Sequence, residues 1–371
     1  MLHSSILLTG ATGLLGGACL THLIQRHGAN QIVALVRRGR DVSELEALGI
    51  GTVEVDLCAA DLGLARDTYC AVAERAHAVI HCAADIRFNV SLEESRQVNV
   101  VGTENLLRFA ARCPKLAKFA HMSTVYVAGG KPGYISEQAT QPGCFFNPYQ
   151  QTKFEAERAV LRAMPTIPAT IYRFSTMVYD CGAARVSQFN YFHQLLRLAA
   201  VNPLQAIPAL PNAKIDLIAS DWAARVFDFL FAERWEPGRI VHICAGPQNS
   251  LTVGELFEMT FDVLGFAQRP EILSEEEFES RAANILSTAS RKQMWQSLSQ
   301  FFPHMNIDQT FECTYLSEAI RNRDDLQLPE VRMMFRDALL YCVATHWGQC
   351  NPAPLSWPPQ LDPVPAVQPK Q

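Results

Sequence analysis

The stretch that decides the fold is Ser5-Ile6-Leu7-Leu8-Thr9-Gly10-Ala11-Thr12-Gly13-Leu14-Leu15-Gly16. An apolar, strand-like run enters glycines spaced three apart and leaves in a helical pattern, Leu14 to His27. Gly10 can take a backbone conformation that a Cβ forbids, Gly13 lets the chain approach a pyrophosphate, and Gly16 lets the new helix pack closely on the strand. The helix N-terminus then offers unpaired N–H groups and a positive dipole end to phosphates. Thr12, Leu14 and Leu15 belong to the same loop and first turn and are expected at the same ligand. A second strand, Gln31 to Val36, completes a βαβ unit within about 30 residues, so a dinucleotide site is expected.

Working outward, strands and helices alternate. After Gln31–Val36 come a helix near Val42–Leu48, strand Thr52–Val55, a helix over Ala60–Ala73 and strand Ala78–His81. A helix Glu94–Cys113, strand Lys118–Met122, a helix Pro148–Met164 and strand Ala169–Arg173 follow. Continuous apolar strands alternating with helices predict an α/β class, Rossmann-like, doubly wound parallel sheet covered on both faces. From Asp180 the pattern loosens into a Phe/Tyr/Leu-rich helix Val186–Ala200, a short strand Arg239–Cys244 and a charged helical stretch Ser274–Arg323. The expected division is a cofactor-binding domain over 1–180 with returning segments near 214–246, then a mostly helical substrate-binding region over 181–348. The Pro-rich tail 349–371 cannot build a helix or central strand and is expected to be disordered.

Composition bounds the function. The chain has 371 residues, 49% of them hydrophobic, enough for a sizeable core. A net charge of −5 provides no basic face for nucleic acid. Eleven cysteines contain no Cys-x-x-Cys pair, which suggests neither a metal site nor a disulfide framework. The strand at Ser5 leaves no room for a signal peptide and no apolar run is long enough for a membrane span, so a reducing cytoplasm is the expected location.

Tyr149 and Lys153 place a phenol and an ammonium one helical turn apart on one face. Together with Thr9-Gly10-x-x-Gly13-x-x-Gly16, this Tyr-x-x-x-Lys pair resembles the extended short-chain dehydrogenase/reductase superfamily. The resemblance implies that Tyr149 donates a proton to a developing alkoxide and that Lys153 lowers the phenol pKa and sits near the nicotinamide ribose. It puts Thr124 of His121-Met122-Ser123-Thr124-Val125-Tyr126 in the hydroxyl position, with Ser123 in reserve. Asp56-Leu57 matches the adenine-binding pair, although Asp56 read by itself is equally a helix N-cap. Ala83 and Ala84 match the small residues beside the adenosine ribose, and Asn99 matches a structural helix asparagine. Arg173-Phe174-Ser175 stands where the family passes the nicotinamide, but without the family's proline only backbone contacts are expected there.

Cofactor choice follows from the end of the second strand. The place of an acidic, ribose-binding residue holds Val36, followed by Arg37 and Arg38. A guanidinium there suits a 2′-phosphate, which points to NADPH; the plainer alternative is a solvated loop pair.

His81-x-Ala83-Ala84-x-x-x-Phe88, Asn99-Val100-x-Gly102-Thr103 and Ser123-Thr124-x-Tyr126-Val127 resemble, more narrowly, the thioester reductase and fatty acyl-CoA reductase branch. The likeness covers roughly residues 5 to 225 and extends to Ile215–Ala224, with Ala-Ser for the usual Pro-Val before Asp221. It implies an acyl thioester on coenzyme A or a carrier-protein pantetheine, reduced to an aldehyde or alcohol. No carrier segment precedes Ser5, so an acyl or peptidyl carrier protein would act in trans. Phe189, Tyr191, Phe192, Leu195 and Leu196 read either as an acyl tunnel or as ordinary core, and Asp221 as a helix N-cap. Two alternatives stay open: an extended short-chain ketone/alcohol oxidoreductase or epimerase on a free small molecule, and a non-catalytic NADP-sensing protein.

Overall fold

The computed structural model describes residues 5–201, 204–266, 269–299 and 301–350. The chain divides into two compact units, one of Met1–Ser175, Ser220–Gly246 and Phe311–Leu328, the other of Thr176–Ala219, Pro247–Thr310 and Pro329–Gln371.

The first unit is built on seven strands: β1 (Ser5–Thr9), β2 (Ile32–Arg37), β3 (Gly51–Val55), β4 (Ala76–His81), β5 (Lys118–Thr124), β6 (Ala169–Phe174) and β7 (Ile240–Ile243). They form one sheet in the order β7-β6-β5-β4-β1-β2-β3, with every pairing parallel. Leu7, Leu35, Val79, Phe119 and Ile171 pack one face into a core with Ala73, Leu106, Phe109 and Val160 of the covering helices. The alternate positions Leu8, Ala34, Ile80 and Ala120 are just as buried, so both faces are covered and the strands read as unbroken apolar runs. The order reverses between β1 and β4, and a doubly wound sheet opens its ligand crevice at the carboxyl ends beside such a reversal.

The helices that matter to the site are α1 (Leu14–His27), α2 (Arg66–Arg75), α3 (Gly102–Ala110), α4 (Pro148–Ala163) and α5 (Ser220–Glu233). α4 starts where Asn147 Oδ1 accepts from the Gln150 N–H at 3.0 Å and Pro148 fixes the first helical φ.

Several expectations are corrected. The helix over Ala60–Ala73 is interrupted: Ala60–Gly63 is a 3₁₀ turn and α2 begins only at Arg66, because Asp61, Leu62 and Gly63 take positive φ of 50°, 58° and 66°. That turn closes on the Asp56 N–H, which donates to Leu62 O. The helix Glu94–Cys113 starts earlier, at a Ser91–Glu94 capping box, and runs through a π segment, Gln97–Val101, before α3. Asp221 is no N-cap. It lies in the first turn of α5 and pairs with Arg225 four residues on, at 2.8 Å.

In the second unit the aromatic helix spans Tyr191–Val201, five residues later than expected, since Asn190 Oδ1 accepts from the Phe192 N–H while Asn190 Nδ2 donates to Met177 O. Phe189 therefore precedes the helix. Phe192 packs edge-on to Phe335 of helix Val331–Ala344 and Tyr191 stacks on Phe301, while Phe192 and Leu196 are buried. The charged stretch is not one helical run: it holds helices Glu275–Ile285, Ala289–Leu298, Phe302–Met305 and Thr314–Ile320 with a strand Gln309–Phe311 between, and Phe278 and Trp295 of the first two stack at 4.5 Å. Of the proline-rich tail, residues 351–371 lie outside the described residues.

Candidate active site

The glycine stretch forms a cradle that side chains would fill. Gly10 has φ 70°, and a Cβ on it would stand 2.7 Å from Ala83 N, in the loop after β4. A Cβ on Gly16 would meet Gly10 O at 2.1 Å. Gly13 donates its N–H to Gly10 O at 3.0 Å and heads α1, which has no side-chain cap and no acidic residue in its first turn. The first N–H groups of α1, at Leu14, Leu15 and Gly16, have no helical carbonyl to reach, and Thr12 beside them is exposed. Open donors, a positive dipole end and no competing carboxylate fit the pyrophosphate of a nicotinamide dinucleotide.

At the carboxyl ends of β2 and β3, Val36 is buried and presents no acid. Arg37 is exposed and makes no side-chain hydrogen bond among the described residues, whereas Arg38 donates from Nη2 to Gly63 O at 2.7 Å. Asp56 is not a helix cap: its Oδ1 accepts from the Cys58 N–H at 2.9 Å, closing a turn two residues long. Leu57 O accepts from Asn105 Nδ2 of α3, which fixes the same turn from the other side. Ala83 and Ala84 follow β4, and the Ala83 N–H donates to Thr9 Oγ1 at 3.1 Å.

Beneath this floor runs a buried chain of hydrogen bonds that sequence reasoning missed. Thr9 Oγ1 and His81 Nδ1 are 2.8 Å apart, His81 Nε2 and Thr103 Oγ1 3.0 Å, and Thr103 Oγ1 donates to Asn99 O at 2.6 Å. Since the Thr103 proton is committed to that carbonyl, its oxygen accepts from His81 Nε2–H, which leaves Nδ1 to accept from Thr9. Burial, with the Lys153 charge nearby, lowers the His81 imidazole to about 3 and keeps it neutral. Asn99 clamps the loop to α4: it accepts from the Asp85 N–H at 2.7 Å and donates to Asp85 O and Thr152 Oγ1.

The expected chemical groups meet on α4 and β5. Lys153 is buried and donates from Nζ to Met122 O at 2.7 Å, which ties the helix to the strand beside Ser123 and Thr124. Burial lowers its ammonium to about 8, opposed by the charge of the Glu157 carboxylate. Thr124 Oγ1 accepts from the Tyr126 N–H at 3.3 Å, whereas the buried Ser123 Oγ has no hydrogen-bond partner among the described residues. Tyr149, half-buried, stacks on Phe88 at 6.0 Å between centroids. The Arg173 guanidinium turns inward, fully buried, onto Glu157 Oε1 and Oε2 at 2.9 and 2.7 Å and onto His242 Nε2 at 3.2 Å. Its side chain is thereby committed to the core of the first unit, and the Ser175 N–H donates to Ile243 O at 3.1 Å. The signal for Glu157 was its i,i+4 spacing from Lys153 on the buried face of α4.

Residues 8–227 match the family model described as "Male sterility protein". The chain belongs to the male sterility protein family. This family is the fatty acyl-CoA reductase-like branch of the extended short-chain dehydrogenase/reductases, whose ligand class is a nicotinamide dinucleotide. Its relatives here include an aldehyde reductase, lnbA, of Aspergillus flavus, 23% identical over 73% of this chain and 29% of its own length. Fatty acyl-CoA reductase 1 of Xenopus laevis is 30% identical over 33% of this chain and 28% of its own. The chain thus spans under a third of the curated relatives it matches. The terminal R domain of the myxalamid PKS-NRPS pathway shares its fold, with a TM-score of 0.76, 23% identity and coverage of 94% of this chain and 92% of that one. A thiolation-reductase di-domain of an archaeal non-ribosomal peptide synthetase does so at 0.68, with 21% identity, 91% coverage of this chain and 75% of that one. Among the described residues no three or more His, Cys, Asp or Glu side chains are grouped to hold a metal, and no helix is long and apolar enough to cross a membrane.

Proposed function

We propose that this male sterility family member is an NADPH-dependent reductase that acts on the carbonyl of an acyl thioester carried by coenzyme A or by a carrier protein in trans. The observation that carries the reading is the Lys153 ammonium held on Met122 O, one helical turn from Tyr149 and beside Thr124. When bound, the reduced dinucleotide supplies the hydride. Tyr149 gives up its phenolic proton to the oxygen of the carbonyl, and the Lys153 charge makes that proton easier to lose. Because Thr124 Oγ1 accepts the Tyr126 N–H, its own proton is available to donate to the same oxygen. Ser123 is the reserve donor. Gly10, Thr12, Gly13, Leu14, Leu15 and Gly16 hold the pyrophosphate, Asp56, Leu57, Ala83 and Ala84 the adenosine, and the backbone of Arg173, Phe174 and Ser175 the nicotinamide end.

The preference for NADPH rests on Val36 and on Arg37, an exposed guanidinium next to it with no side-chain hydrogen bond among the described residues. Arg37→Ala is expected to raise KM for NADPH at least tenfold more than KM for NADH; equal changes would refute the assignment. Eleven free thiols support a reducing, cytoplasmic setting.

The decisive experiment incubates the protein with NADPH and a panel of acyl-CoA and acyl-carrier thioesters beside simple ketones, with products read by mass spectrometry. Aldehyde or alcohol from thioesters supports the reading, and turnover of ketones alone replaces it with the free-carbonyl alternative. Tyr149→Phe should lower kcat by about 10²-fold or more while NADPH binding is kept. Turnover unaffected by that change would show that the phenol is no acid.

A further inference from the structure

The ring of Phe88 lies nearly parallel to that of Tyr149, 24° apart with centroids separated by 6.0 Å, an offset stack. Both residues are half-buried. In the loop that brings Phe88 there, Asp85 Oδ1 accepts the Arg87 N–H at 3.1 Å and closes a two-residue turn. The Arg87 guanidinium folds back onto the same carboxylate at 2.9 and 2.6 Å, so the two charges of the turn answer each other while Ile86 and Arg87 stay exposed and Phe88 comes next. One side chain holds the backbone behind both rings. Asn99 accepts the Asp85 N–H at 2.7 Å and donates to Asp85 O and to Thr152 Oγ1, each at 2.9 Å. Thr152 Oγ1 in turn donates to Pro148 O at 2.8 Å, in the turn of α4 that carries Tyr149.

A proton donor works only when its oxygen stands within hydrogen-bond reach of the accepting atom, roughly 2.6–3.2 Å. The phenolic oxygen of Tyr149 sits at the end of two side-chain torsions in a half-buried position, so a small rotation carries it out of that range. A phenyl ring stacked on the phenol restricts both torsions and, having no hydrogen-bonding group of its own, does not compete for the hydroxyl. We propose that Phe88 is a positioning residue for Tyr149: it fixes the plane of the phenol from which the proton is delivered, and Asn99 holds the two rings in register. This rests on the reading of Tyr149 as the acid, and adds that the acid's geometry is set from the loop after β4.

The test is a double-mutant cycle on the full chain with NADPH and whichever acyl thioester or ketone it reduces. Phe88→Ala should lower kcat about tenfold or more while KM for NADPH stays within about twofold. Phe88→Tyr, which keeps a ring on that face, should recover most of the loss. In a Tyr149→Phe background, Phe88→Ala should cost less than about twofold, because the proton it helps to place is gone. The same variants labelled with 3-fluorotyrosine give a readout free of turnover. The fluorine signal assigned to Tyr149 by its loss in Tyr149→Phe should shift in Phe88→Ala, while the other tyrosine signals hold and so report that the variant is folded; should they move, Phe88→Leu, closer in volume, takes its place. Penalties that multiply in the double variant, or a Tyr149 signal that does not move, overturn the proposal. Turnover that is absent, or indifferent to Tyr149→Phe, overturns the acid reading instead, and the fluorine shift then decides by itself whether Phe88 holds the phenol.

Discussion

Single residues set the electrostatics of the site, and two of them are easily misread. Arg173, read in the sequence as a strand end beside the nicotinamide, and Glu157, an ordinary charge on a helix, are a fully buried bidentate pair with His242 Nε2 as a third partner. Removing one member strands the other in a medium that cannot solvate it. Glu157→Ala is therefore expected to cost about 3–5 kcal/mol of stability, read from chemical denaturation. A loss within about 1 kcal/mol, the scale of an exposed pair, would refute that burial. The same carboxylate faces the Lys153 ammonium and works against its desolvation. That Tyr149 and Lys153 share one helix was legible because one motif names both. Glu157, His81 and Thr103 were not, since charged and imidazole side chains carry no sign of which ones fold inward.

Elements were legible where local chemistry decides them. The entry from β1 into α1 follows from glycines that accept what a Cβ cannot, and α4 follows from Asn147 and Pro148. Gly16→Ala should force its methyl against Gly10 O, lowering stability by about 1–3 kcal/mol and dinucleotide affinity at least tenfold. Unchanged affinity in a fluorescence titration would separate the cradle from binding. The errors fell where periodicity is blind. An apolar pattern does not reveal that Asp61 and Leu62 adopt positive φ, or that Gln97–Val101 winds as a π segment that turns Asn99 onto Asp85 and Thr152.

Across the whole chain, the doubly wound parallel sheet could be read from alternation, while the second unit could not. Its strands pair over long separations, Ala206–Pro208 with Glu271–Leu273 and Thr176–Tyr179 with Leu217–Ala219, and two- to four-residue strands leave no pattern. Global stability should also carry a signature of buried groups. Burial lowers His81 and His242 to about 3, below the ordinary value of 6.5, so the unfolded chain takes up protons first and stability falls as pH drops below 6.5. Glu137 acts in the opposite direction: burial raises it from 4.5 to about 7, so its contribution is full below 4.5 and lost as pH rises through 7. Glu137→Gln should therefore gain on the wild type between pH 4.5 and 7 in urea midpoint. A constant difference across that range would rule the effect out.

The near-contact of Gly10 with the backbone at Cys82 and Ala83 has a practical consequence for protein engineering. Two loops separated by some seventy residues of chain are fitted to each other at atomic distance. A chimera that imports the opening βαβ unit from a relative, hoping to swap cofactor preference, must import the segment following β4 as well. Otherwise the foreign glycine turn will meet a wall it was never shaped against.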